Sequence, residues 1–200
     1  LHPHSGGDTI ADGLEVRDLL HRIETCDYRL TEPDGRTTLP ERLAAAGIAG
    51  PDVGRLQREG ALAGVVLDDV STPRPGQRFA FIMDTAPCPG ADDLADGADL
   101  VVAESTFSDD DAGLARQYRH LTAGQAGELA AGAAARNLVL THFSSRYGDD
   151  AGMLEAQAAA RAPDTVVTAA RDLQTIPFPP RRHAGHDTPA IHPAGQGGPR

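Results

Sequence analysis

Residues 78–107 read RFAFIMDTAPCPGADDLADGADLVVAESTF, residues 108–136 read SDDDAGLARQYRHLTAGQAGELAAGAAAR, and residues 137–147 read NLVLTHFSSRY. Arg78 to Met83, Leu100 to Ala103 and Leu138 to Thr141 are apolar runs of strand length. Helical patterns separate them: Pro89 to Gly97, opened by proline in its first turn, then Ser108 to Tyr118 and Thr122 to Ala135. Ser108 with Asp111, and Thr122 with Gln125, have capping-box spacing. Downstream, Ala151 to Arg161 predicts a helix and Thr165 to Thr168 a strand. Such alternation predicts the α/β class, a sheet covered by helices.

Polar residues stand where three of these strands end. Asp84 follows RFAFIM, Glu104 follows LVVA, and His142 follows LVLT. If the strands are parallel and adjacent, the three side chains converge on the rim where open α/β sheets place ligands. His21, after LEVRDLL, joins them if its strand ends on the same side. Imidazole nitrogen and carboxylate oxygen both suit zinc, at about 2.0–2.2 Å. Each residue alone also fits a plainer role: an Asp after a strand commonly caps a turn, as in DTAPCPG, and a His there is commonly a hydrogen-bonded turn residue.

Upstream, strands flank Tyr28, and LPERLAAAGI and PDVGRLQREG predict two short helices broken at Gly50 and Pro51. The opening LHPHSGGDTIADG is polar and glycine-rich, with neither the charged nor the apolar region of a signal peptide, and its first residue is Leu; a processed or truncated chain is expected. From Pro177 onward the chain is rich in Pro, Gly and His without apolar period, which predicts a disordered tail over 177–200 containing His183, His186 and His192.

With 200 residues, 40% of them hydrophobic, the chain can bury one sizeable core, built from Leu, Val, Ala and Ile because Trp is absent and Phe numbers five. No apolar run approaches the roughly 20 residues of a membrane span. Cys26 and Cys88 offer no CxxC spacing and no disulfide framework, so a reducing cytoplasm fits. A net charge of −11 argues against sequence-independent nucleic-acid binding over the whole surface, though not against a local patch. There is no GxGxxG, Walker A, HExxH, GxSxG or CxxC pair, so nucleotide-binding, zincin, hydrolase-elbow and zinc-ribbon readings lack a foothold.

FIMDTAPC, DGADLVVAESTF, YRHLTAGQAGELA and LVLTHFSSRY, in that order, resemble the motifs that close ribonuclease Z proteins, and HRIETCDYRLTEPDG is similar to an upstream strand of that family. The likeness runs from about Leu14 to about Thr168. It implies the C-terminal part of a metallo-β-lactamase αββα sandwich over residues 1–176, and the zinc-dependent endonuclease activity that removes the 3′ trailer of precursor tRNA. It further implies that His21 ligates a first zinc, Asp84 bridges two, and His142 ligates the second. His120 would hold the catalytic position, stabilising the transition state or protonating the leaving oxygen, with Glu104 orienting it. Two zinc ions about 3.5–4 Å apart can activate a water and clamp a phosphodiester. Residues 31–72 resemble the family's tRNA-gripping arm, where Arg42, Arg55 and Arg58 are the candidate phosphate contacts beside Glu41, Asp52 and Glu59. The complete family enzyme is expected to be a cytoplasmic homodimer.

Three local departures accompany the likeness: Met83 replaces a glycine, Cys26 and Asp27 replace the residues usual before Tyr28, and Ala103 stands where a histidine is common. The family's HxHxDH motif, which brings four further ligands and the general base, is absent from these 200 residues; LHPHSGGD lacks its spacing. His21, Asp84 and His142 alone would leave both zincs short of ligands. Two alternatives therefore stand beside the nuclease: another metallo-β-lactamase-fold hydrolase of a small phosphodiester or ester, and a truncated non-catalytic relative.

Overall fold

The computed structural model describes residues 9–148 and 151–182. In chain order the strands are β1 (Thr9–Ala11), β2 (Leu14–Asp18), β3 (Cys26–Thr31), β4 (Gly35–Thr38), β5 (Ala61–Leu62), β6 (Val65–Val66), β7 (Ser71–Arg74), β8 (Arg78–Ile82), β9 (Leu100–Glu104), β10 (Asn137–Thr141) and β11 (Val166–Ala169). The helices are α1 (Pro40–Ala45), α2 (Pro51–Glu59), α3 (Pro89–Ala95), α4 (Ala112–Tyr118), α5 (Ala123–Gly132) and α6 (Gly152–Arg161). Contacts divide the described chain into two units, 9–34 with 76–181, and 35–75 with 182.

The larger unit holds a seven-stranded sheet in the order β1-β2-β3-β8-β9-β10-β11. β1, β2, β3 and β8 pair antiparallel, while β8, β9, β10 and β11 pair parallel. Parallel neighbours need long crossovers, and α3, the α4–α5 pair and α6 supply them. The register aligns Ile82 with Ala103 and Ala103 with Leu140, so the strands carrying the polar residues end level with one another.

Small side chains dominate the core. Ala80, Ala95, Ala103, Ala126, Ala130 and Ala158 are buried there with Ile82, Leu94, Val101, Leu138 and Leu140. Alanine at the contacts lets helix backbones approach closely, and Gly127 extends this: a Cβ there would stand 2.3 Å from the Ala158 carbonyl oxygen of α6. The opposite sheet face carries Tyr28, Leu30 and Phe81, which are 40%, 51% and 40% exposed.

Two local expectations change. Thr122 and Gln125 form the capping box of α5, but Ser108 and Asp111 do not form one. The Tyr147 hydroxyl intervenes: it accepts from Ser108 N at 2.8 Å and donates to Asp111 Oδ2 at 2.5 Å. Residues 109–111 therefore make a 3-10 turn and the α-helix begins at Ala112. The polar opening contributes a strand, because Thr9 and Ala11 pair with β2.

At the other end, Phe178 lies 6.0 Å from the Phe79 ring, Gln77 Nε2 donates to the Pro179 carbonyl at 2.8 Å, and Arg181 pairs with Glu32. His183, His186 and His192, and the rest of the expected tail, lie outside the described residues.

The smaller unit has its own core, in which Leu43, Ile48, Leu56 and Val70 are buried. α2 starts at Pro51 behind Gly50, whose φ of 56° suits glycine. The antiparallel β4–β7 pair and the short β5–β6 pair complete it. Arg55 lies 3.5 Å from both Asp52 and Glu59 within α2, and Arg42 donates to the Asp69 carbonyl at 3.0 Å. Arg58 is exposed. No helix among the described residues is long and apolar enough to cross a membrane.

Candidate metal centre

Asp84 and His142 each follow a strand of the parallel half, and both adopt the left-handed backbone region, with φ of 45° and 56°. Non-glycine residues adopt it at a cost, and such strain concentrates at functional sites. The turn after each strand brings the two side chains together: His142 Nε2 is 3.5 Å from Asp84 Oδ1.

His120 reaches the same place by another route. It sits between α4 and the Thr122 cap of α5, and this segment is laced to the loop after β9: Phe107 N donates to the Leu121 carbonyl at 3.2 Å and Ala123 N to the Phe107 carbonyl at 2.8 Å. His120 Nδ1 then lies 3.0 Å from both Glu104 carboxylate oxygens and 3.9 Å from Asp84 Oδ1. The rings of His21 and His142 are 4.9 and 5.4 Å from the His120 ring.

Glu104 is fully buried, and donors surround it. Thr85 N donates to Oε1 at 2.6 Å, while Leu121 N and the Thr106 hydroxyl donate to Oε2 at 3.1 and 2.5 Å. Proton counting then fixes the histidines. Thr106 has given its single proton to Glu104, so at 2.9 Å it must accept the Nδ1 proton of His142. His21 Nδ1 faces the Arg119 carbonyl at 3.0 Å, which can only accept. His120 Nδ1 faces a carboxylate. In the neutral form each imidazole therefore carries its proton on Nδ1 and leaves the Nε2 lone pair open, the state in which an outer partner holds a metal-ligating histidine.

The residues fit a metal ion on these grounds. Two ligands about 2 Å from one ion stand roughly as far apart as His142 Nε2 and Asp84 Oδ1 do. The donor atoms of His21, Asp84 and His120 lie within 4.8 Å of one another, whereas Glu104, which is as close to His120 and His142, already has its oxygens engaged by hydrogen-bond donors. The structure thus brings all five expected residues of the rim together. Arg42, Arg55 and Arg58 belong to the smaller unit.

Asp27 was not among the expected site residues. It is buried beside the turn and accepts from Met83 N. Burial raises its carboxyl pKa to about 7 against the opposing pull of that hydrogen bond, and the charges of Asp84 and Glu104 push the same way as burial. Thr106 and Arg119 were also missed. For Thr106 the Glu-x-Thr spacing at a strand end is a usable signal; for Arg119 the sequence holds none.

Residues 9–143 match the family model of the β-lactamase superfamily domain. The chain belongs to that superfamily. It is 57% identical over 174 residues to the ribonuclease Z of Streptomyces avermitilis, an alignment covering 87% of this chain and 58% of that protein. Ribonuclease Z of Thermobifida fusca is 48% identical over 199 residues, covering 94% of this chain and 62% of the relative. The chain thus spans about three-fifths of the length of these relatives. The crystal structure of the metallo-β-lactamase fold protein YhfI from Bacillus subtilis superposes with a TM-score of 0.50 at 16% identity, over 80% of this chain and 48% of that one. The architecture is accordingly the metallo-β-lactamase fold, represented by part of its length.

Proposed function

We propose that this chain contributes the C-terminal part of a zinc-dependent ribonuclease Z-like phosphodiesterase, which removes the 3′ trailer from precursor tRNA. The observation that carries the reading is the rim itself: three histidines with free Nε2 atoms around Asp84, one of them braced by the buried Glu104. The sequence likeness to ribonuclease Z proteins supports the reaction class.

Asp84, His142 and His21 would hold the metal, with the Asp84 carboxylate able to face two ions. Zinc bound there would supply an ionised water near neutral pH and neutralise phosphate charge. The chain's own residues do the remainder. Glu104 fixes the His120 ring from its Nδ1 side, so Nε2 points away from the carboxylate and, once it has taken up a proton, can give it to the departing ribose oxygen. Thr106 fixes the His142 ring in the same manner. Two free cysteines agree with action in the cytoplasm, and the complete enzyme is read as a homodimer.

The ion pairs of Arg55 within α2 favour a second reading, hydrolysis of a small phosphodiester, because an arginine already engaged by two acids grips phosphate weakly. Fusing this chain to a ribonuclease Z first half that bears HxHxDH separates the two. Cleavage of precursor tRNA at the 3′ trailer, lost on chelation and restored by zinc, is the expected result. A fusion that hydrolyses bis(p-nitrophenyl) phosphate yet leaves precursor tRNA intact would exclude the tRNA reading.

A further inference from the structure

Arg119 ends α4 in the left-handed region, φ 59° and ψ 53°, where glycine is the ordinary residue. A side chain at such a position costs about 1 kcal/mol or more, so an arginine there asks for a reason. Its contacts supply one. The Arg119 carbonyl takes the His21 Nδ1 proton at 3.0 Å, and the Arg119 guanidinium donates back to the His21 carbonyl at 2.6 Å. A neighbouring contact joins the same two segments: the Arg22 guanidinium lies 5.2 Å above the Tyr118 ring.

We propose that Arg119 is a positioning residue which clamps the loop bearing His21 to the turn bearing His120. The left-handed backbone aims the residue 119 carbonyl at the imidazole, while the side chain returns to the main chain of the same histidine. One residue thereby fixes the His21 tautomer, its ring orientation and its distance from His120, whose ring is 4.9 Å away. Because His120 follows directly in sequence, the ligand and the proposed acid are held by adjacent peptide units. The functional half of this inference rests on the reading of His21 as a metal ligand; the clamp itself does not.

Nitrogen-15 imidazole spectra of the metal-free 200-residue chain test the clamp. Wild type should show His21 protonated at Nδ1. Arg119→Gly, which keeps the backbone conformation and removes the guanidinium, should move His21 toward a mixture of tautomers, and Arg119→Lys should restore part of the signature. A wild-type His21 protonated at Nε2, or a signature identical in wild type and Arg119→Gly, would overturn the proposal. Should the spectra prove too broad to assign, the rate of diethyl pyrocarbonate modification at His21 replaces them: Arg119→Gly should raise it severalfold, and an unchanged rate overturns the clamp. In the fusion, Arg119→Gly should weaken zinc binding about 10- to 100-fold, as loss of an outer partner does. If the tautomer shifts while zinc affinity stays the same, His21 is not a ligand; the clamp survives and the ligand assignment fails.

Discussion

The His120 ring is where the roles proposed for the site divide most sharply. Its Nδ1 is committed to Glu104, so replacing it should remove a proton donor and leave the proposed metal ligands in place. In the fusion, His120→Ala should lower kcat on precursor tRNA by about 10²-fold or more, with zinc content nearly unchanged. His142→Ala should lose one zinc together with activity, as removal of a ligand requires. Elemental analysis beside turnover decides this, and equal zinc loss in the two variants would show the division of roles to be wrong. Asp27 makes a second prediction. Its carboxyl pKa is raised in the folded state to about 7 from an ordinary 3.8, so folded protein binds more protons than unfolded protein between those values. Stability from this group is therefore full at low pH, falls as pH rises toward 7 by up to about 1.4 kcal/mol per unit, and is flat above. Asp27→Asn keeps an oxygen for Met83 N and removes the titration, so the fall in melting temperature from pH 5 to pH 8 should shrink in metal-free protein. A variant whose melting temperature falls as far as the wild type's would contradict this.

Elements position those residues through close backbone packing. α5 leads out of the His120 turn, and its seat against α6 depends on Gly127. Gly127→Val should destabilise by about 1–3 kcal/mol, since the new side chain must displace the Ala158 carbonyl. Gly132, on the same helix, has nothing within 4 Å of the place a Cβ would take, so Gly132→Ala should be neutral or stabilise by roughly 0.5–1 kcal/mol. Chemical denaturation of both variants checks the contrast; equal losses would mean that helix propensity rather than packing governs α5. In the smaller unit, reversing the charges of Arg55 and Arg58 in the fusion should raise KM for precursor tRNA and flatten its salt dependence. An unchanged salt slope would remove them from the substrate contacts.

For the whole molecule, the sheet face bearing Tyr28, Leu30 and Phe81 is the dominant physical fact, because exposed apolar surface of this kind associates. The 200-residue chain should sediment as oligomers or aggregates, and a monodisperse, cooperatively melting monomer would count against that expectation. Its metal content follows from the same incompleteness. After deletion of residues 183–200, with His183, His186 and His192, the chain should hold less than one tightly bound zinc. Two tight zincs per chain by elemental analysis would mean that the rim residues suffice without an HxHxDH partner.

Sequence alone determined the strands from Arg78 to Thr168, the Thr122 capping box and the positions of Asp84, Glu104 and His142 at strand ends, because apolar period and caps are local properties that survive in one dimension. His21 entered conditionally, from its place after the run LEVRDLL, and His120 only through family likeness, since it lies in no pattern that marks a site. What the tertiary structure decided depends on pairing between distant segments. The parallel register turned three strand ends into one rim. Tyr147 broke the expected Ser108 box from 39 residues away. The tautomers of the three histidines follow from Thr106, Glu104 and the Arg119 carbonyl, partners that only folding brings within hydrogen-bond reach. Burial of Asp27 belongs to the same class: a carboxylate in an alternating strand is ordinary in sequence, and its high pKa exists only once the sheet has closed over it.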